Sequence, residues 1–166
     1  MQTPEAEPLV PYKSRYFEDF PEGEVAVFGP YEISADEIIR FAERYDPQPF
    51  HLDAEAARHG PFGGLAASGW MTAGVVMRLL VESYVPPAAS MGSPGLDELR
   101  WLAPVRPGDT IRARVTVVSK RQSASRPDRG IIHFLQEGLN QRDEVVISFR
   151  GVGIYRCRPV EGDAAP

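Results

Sequence analysis

A single cysteine, Cys157, leaves the 166-residue chain with no internal disulfide framework and no multi-cysteine metal site, which suits a reducing cytoplasm. It sits in Ile154-Tyr155-Arg156-Cys157-Arg158, near the end of an alternating apolar pattern, so a small strand residue is expected there rather than a nucleophile. Long apolar runs are also missing. The most apolar stretch, Leu65 to Met77, is interrupted beyond by Arg78 and Glu82, and a bilayer span needs about 20 residues; it reads as a buried helix. Met1-Gln2-Thr3-Pro4-Glu5 has neither the basic flank nor the apolar run of a signal peptide, so a cytoplasmic protein with no membrane partner is expected. Excess positive charge is absent too. With 18 Lys+Arg against 23 Asp+Glu the net charge is −5, which argues against a polybasic nucleic-acid binder.

What is present is ordinary for one globular core: 43% hydrophobic and 25% charged residues in a chain of single-domain size. The charge is unevenly spread. Residues 1–99 carry 6 basic and 16 acidic side chains and residues 100–166 carry 12 and 7, so the halves stand at −10 and +5. If the fold sets loops of the first half against basic strands of the second, an anionic substrate is attracted locally despite the negative total. Residues 1–12 and 159–166, rich in Pro, Glu and Ala, read as flexible tails around one domain over 13–158.

Within that domain a short strand is expected over Glu24–Gly29. Ser34-Ala35-Asp36-Glu37 is a capping box for a helix running to about Tyr45, where Pro47 and Pro49 stop it. Asp53 caps a short helix over 54–59, and a Pro-Phe-Gly-Gly loop at 61–64 leads into the apolar helix, expected over about 66–84. Small residues crowd its first turns, and an apolar surface on nearly every side implies a helix surrounded by structure. The rest is strand-like. Ile111, Ala113, Val115 and Val117 alternate with Arg112, Arg114 and Thr116, and Val145–Cys157 repeats the pattern, with turn signals at 107–109, 121–130 and 141–143. One long antiparallel sheet with an apolar face and one very apolar helix suggest an α+β fold in which the sheet wraps the helix.

The segment with most chemical content is Tyr45-Asp46-Pro47-Gln48-Pro49-Phe50-His51-Leu52-Asp53. Two prolines make a stiff loop that holds a carboxylate and an imidazole five positions apart, as a general acid/base pair requires. The carboxylate could orient or charge-stabilise the imidazole, or both could hold one water. The same residues also fit a proline-rich helix stop with His51 on the surface. A second segment, Phe62 to Met71, brings glycines into a helix start, where backbone N–H groups and the helix dipole can receive a developing oxyanion. It lacks the lysine and spacing of a phosphate-binding loop.

Asp46-Pro47-Gln48-Pro49-Phe50-His51 resembles the Asp-x-Asn-Pro-x-His motif of the MaoC-like (R)-specific enoyl-CoA hydratases, and Gly64-Leu65-Ala66-Ala67-Ser68-Gly69 resembles their Gly-x-x-Ala-His-Gly helix entry. The similarity extends through Asp97–Trp101 and Pro104–Thr110 and covers roughly residues 15–157. It implies a hotdog fold, a curved antiparallel sheet around a central helix. It also implies reversible hydration of an enoyl thioester carried by CoA or an acyl carrier, with Asp46 and His51 as the catalytic pair. Gly64, Ser68 and Gly69 would lie at the thioester, with Gln48 and Pro49 organising the loop. Arg100, Arg106, Arg112 and Arg114 become candidates for the CoA phosphates. The resemblance calls for no metal and no bound cofactor, and implies a homodimer or higher homo-oligomer in fatty acid metabolism. Two positions depart from the pattern, Gln48 for Asn and Ser68 for His, both where substrate is read. A hotdog thioesterase and a non-catalytic acyl-thioester-binding subunit are the alternatives on the same fold.

Overall fold

The computed structural model describes residues 8–159. Most of the residues read as tails, 1–7 and 160–166, lie outside that range; Tyr12, at the end of the first of them, packs edge-on against Phe28 at 5.3 Å between ring centroids. After two single 3-10 turns the elements run β1 (Val25–Glu32), α1 (Ala35–Tyr45), α2 (Pro49–Leu52), α3 (Ala54–Arg58), α4 (Gly69–Ser83), β2 (Leu96–Trp101), β3 (Thr110–Gln122), β4 (Arg129–Leu139) and β5 (Val145–Arg156).

All strand pairs are antiparallel, in the order β1-β3-β4-β5-β2, so β2 forms one edge, beside β5, although it precedes β3, β4 and β5 in the chain. Period-two alternation places Ile111, Ala113, Val115 and Val117 on the inner face with Ile132, Phe134, Ile147 and Phe149 from the next two strands. Against that face lies α4, burying Met71, Thr72, Val75, Val76, Leu79 and Leu80. Gly138 lets the helix come close, since a Cβ there would stand 3.0 Å from a Val76 methyl and 2.7 Å from one of Ile147. Burial of apolar area between one helix and one curved sheet is the main source of stability, at roughly 25 cal/mol per Å². This is the hotdog arrangement.

The capping box forms, with Ser34 accepting from the Glu37 amide and Glu37 reaching back to Ser34. Three features differ from the sequence expectation for physical reasons. The stretch between the first two helices is not wholly a loop, because Pro49 takes the first position of a helical turn, where its missing N–H costs nothing, and puts His51 on that turn. The central helix begins at Gly69 rather than near 66, because the Ala66 and Ala67 amides are drawn into bonds with Phe50 O at 3.2 Å and Val105 O at 2.8 Å. The chain also does not surround α4. Trp70, Met77 and Val81 stay exposed on the face turned from the sheet, with Leu96, Trp101 and Leu102 of the β2 edge exposed as well. No helix among the described residues is long and apolar enough to cross a membrane.

Candidate active site

The pair begins at the end of α1, where the proline-driven break turns Asp46 away from the helix as its C-cap. The turn α2 then carries His51 back beneath it, and the ring is buried between Phe50, edge-on at 4.6 Å, and Phe62, stacked at 6.3 Å. His51 Nδ1 lies 2.6 Å from the Ala66 carbonyl oxygen, an acceptor only, so Nδ1 carries hydrogen and donates. Nε2 is left facing Asp46 Oδ2 at 3.3 Å. The non-helical backbone at 66–67 therefore has a chemical consequence: it supplies the carbonyl that fixes the imidazole tautomer.

Asp46 has two further partners. Ser68 Oγ donates to Oδ2 at 2.7 Å, and Gln48 Nε2 donates to Oδ1 at 2.6 Å. Burial works against the charge of this carboxylate, but the Ser68 and Gln48 hydrogen bonds and the nearby imidazole outweigh it and hold Asp46 below the ordinary aspartate range. Ser68 is fully buried and also caps α4, accepting the Trp70 amide at 3.3 Å. One hydroxyl thus joins the carboxylate to the start of the helix.

The pair opens into a cavity of about 450 Å³. Asp46, Gln48, His51 and Thr72 give it polar points, and Phe50, Phe62, Trp70, Trp101, Leu102 and the Ala103–Val105 segment give it apolar walls. Such a volume with a few convergent polar groups is typical of a small-molecule site. Of the three residues expected at the thioester, Gly69 lines the cavity. Ser68 does not, its hydroxyl being spent on Asp46, and Gly64 lies outside it, where a Cβ would stand 3.0 Å from the Arg106 guanidinium. Pro49 shapes the turn from behind. Among the four arginines, Arg112 and Arg114 are paired with Asp143 and Glu137 on the outer face of the sheet. Arg106 instead donates to the carbonyl of Phe62, a residue of the cavity wall, and Arg100 is exposed beside Trp101. No cluster of three or more His, Cys, Asp or Glu placed to share a metal occurs among the described residues.

The two tryptophans were not singled out from sequence. Trp101 appeared there only within a matched segment, and its contact with Gly69 joins residues 32 positions apart, a distance that no local pattern reports.

A sheet wrapped on one helix, with an Asp/His pair beside that helix's N-terminus, is the arrangement of a hotdog domain, and the chain belongs to the MaoC-like domain family, which it matches over residues 17–131. Its relatives fit. It is 30% identical over 126 residues to the uncharacterized protein YdeM of Bacillus subtilis, covering 76% of this chain and 88% of that one. It is 36% identical over 103 residues to the 3-hydroxybutyryl-CoA dehydratase of Methylorubrum extorquens, covering 61% of this chain and 63% of that enzyme. The crystal structure of a MaoC-like dehydratase from Rhodospirillum rubrum superposes with a TM-score of 0.83 at 43% identity, over 89% of this chain and 100% of that one.

Proposed function

We propose that the protein is a hydro-lyase that adds water to, or removes it from, the α,β double bond of an enoyl-CoA. The observation that carries this reading is the Asp46–His51 pair, 3.3 Å apart, at the wall of an otherwise apolar cavity that also reaches the first residue of α4. A water between Asp46 Oδ2 and His51 Nε2 adds its oxygen to C3. Its proton passes to Nε2, since a carboxylate held charged by Ser68 and Gln48 is a poor resting place for a proton, and Asp46 balances the imidazolium. The π electrons move onto the thioester oxygen, which the helix start stabilises. Collapse of that enolate takes the proton back at C2, so water is consumed and nothing else changes.

Relatives named as dehydratases and hydratases of CoA esters support the same reading. Arg106, beside the cavity wall, is the best placed of the four arginines for the anionic end of CoA. The working unit is a homodimer, in which a second copy covers the exposed stripe of Trp70, Met77 and Val81 together with the β2 edge; an uncovered apolar stripe next to an unpaired strand edge is a surface that associates. Light scattering on the eluting protein is expected to give twice the chain mass, and Val81→Glu to return the monomer.

Incubation with crotonyl-CoA tests the chemistry: loss of the enoyl absorbance without release of free thiol is expected. Thiol release without hydration would replace this reading with a thioesterase, and neither event with a binding subunit.

A further inference from the structure

We propose that the indole Nε1–H of Trp101 is a second hydrogen-bond donor to the thioester oxygen, alongside the Gly69 amide. This rests on the hydratase reading above and deepens it, because nothing in the motif Asp46–His51 or the glycine-led helix entry assigns this side chain a role.

Gly69 is the first residue of α4, so its N–H has no partner within the helix, and the cap hydroxyl of Ser68 is taken up by the Trp70 amide instead. One amide is a thin provision for a developing enolate, where stabilisation comes from several preorganised donors aimed at the same oxygen. The second donor stands beside it. The Trp101 ring atoms Nε1, Cε2 and Cδ1 lie 2.3, 2.5 and 2.7 Å from the point a Cβ on Gly69 would occupy. Three neighbouring atoms at such similar distances mean that the five-membered ring lies flat over the Gly69 Cα, one bond from the amide nitrogen. Only glycine admits this approach, so the close contact accounts for the residue at 69 independently of any ligand. No acceptor takes Nε1–H among the described residues, yet both Gly69 and Trp101 line the cavity that holds Asp46 and His51.

The ring is held in place from two sides. Trp101 pairs with Ile147 across β2 and β5, and the next amide, Leu102 N–H, donates to Val146 O at 2.8 Å. Trp70 then meets the indole edge-on, with ring centroids 5.4 Å apart at 78°. An indole fixed in this way needs no reorganisation as charge arrives on the oxygen. As the C3–O bond forms and the water proton passes to His51, the C2=C3 electron pair moves to the thioester oxygen, where the two N–H groups receive it. They release it when C2 takes the proton back.

Trp101→Phe is the discriminating variant, since phenylalanine keeps a flat ring on Gly69 and loses only the N–H. With crotonyl-CoA its kcat is expected to fall on the order of 100-fold with KM little changed, as for loss of one oxyanion donor. Binding of S-butyl-CoA, a thioether with no carbonyl, is expected to be the same in both proteins. A W101F rate within about twofold of wild type would overturn the proposal while leaving the hydratase reading intact. So would equal weakening of thioether binding, which would make the ring a packing element. Failure of the wild-type protein to hydrate crotonyl-CoA would instead overturn the reading on which the proposal rests, and the proposal with it.

Discussion

Each end of α4 carries a carboxylate paired with a nitrogen side chain, and the two pairs are built differently. At the C-terminal end Arg15, only 2% exposed, grips Glu24 through both terminal nitrogens at 2.5 and 2.7 Å, gives its Nε–H to Val10 O, and lies over the rings of Tyr12 and Phe20. At the N-terminal end His51 and Asp46 stand 3.3 Å apart, the imidazole offers a bare Nε2, and both groups open into the cavity. The first pair has its bonding satisfied and ties the N-terminal segment to the sheet at the start of β1. The second is satisfied everywhere except on the side that faces the cavity. Saturation separates a structural pair from the one proposed to react, more than burial or charge does.

Removing one member of each pair is the sharpest way to break that comparison. Asp46→Asn and His51→Ala are each expected to lower turnover by about 10²–10⁴-fold, far beyond any loss of folded protein, measured by enoyl absorbance and calorimetry. Wild-type rates in both variants would remove the pair from the chemistry. Arg15→Ala should do the reverse. It leaves the partly buried Glu24 without its cation, at a cost of about 2 kcal/mol, and so lowers Tm by about 6 °C while the folded fraction keeps its turnover. A fall in kcat larger than the loss of folded protein would show that the two ends of α4 are not independent. On a smaller scale, Arg106→Ala should raise KM for the CoA substrate by about tenfold with kcat changed less, as expected for a contact outside the reacting atoms. An unchanged KM would leave the basic second half of the chain without a role at the site.

How far each end could be read from sequence follows from how local its determinants are. The Ser34–Glu37 box, the proline stop at 47–49 and the alternation over 110–117 are decided by neighbours within four residues, and they form where the sequence places them. The Asp46–His51 pair was legible as a spacing, but the atoms that tune it were not. Ser68 Oγ reaches Asp46 across 22 positions and the Ala66 carbonyl reaches His51 across 15, because pairing with Phe50 and Val105 pulls residues 66–68 out of helical geometry. The Arg15–Glu24 pair drew no notice in sequence, since two charged residues nine apart read as surface until Tyr84, Phe20 and Tyr12 close over them. The exposed stripe on α4 misled for the complementary reason: an apolar face records that something must cover it, and not whether that is the same chain.

Ser68 lies between the two kinds of pair, being both a helix cap and the donor that keeps Asp46 charged. Ser68→Ala is therefore expected to lose on both counts, with about 1 kcal/mol of stability from the cap and about tenfold in kcat from the looser carboxylate; a loss in stability alone would make it a cap and nothing more. The smallest effect is in the pH dependence of folding. Asp46 is depressed in the native state, so its interactions with Ser68, Gln48 and His51 stabilise the fold fully above the ordinary aspartate value near ~3.9. As pH falls through the lower native value the carboxylate takes a proton in the folded state and that stabilisation disappears. Urea midpoints measured from neutral to acid pH should thus fall more steeply for the wild type than for Asp46→Asn, with the two curves converging at the acid end. Parallel curves would mean that the hydrogen bonds to Asp46 do not favour its charged form, and in the proposed hydration the proton could then rest on the carboxylate as readily as on His51.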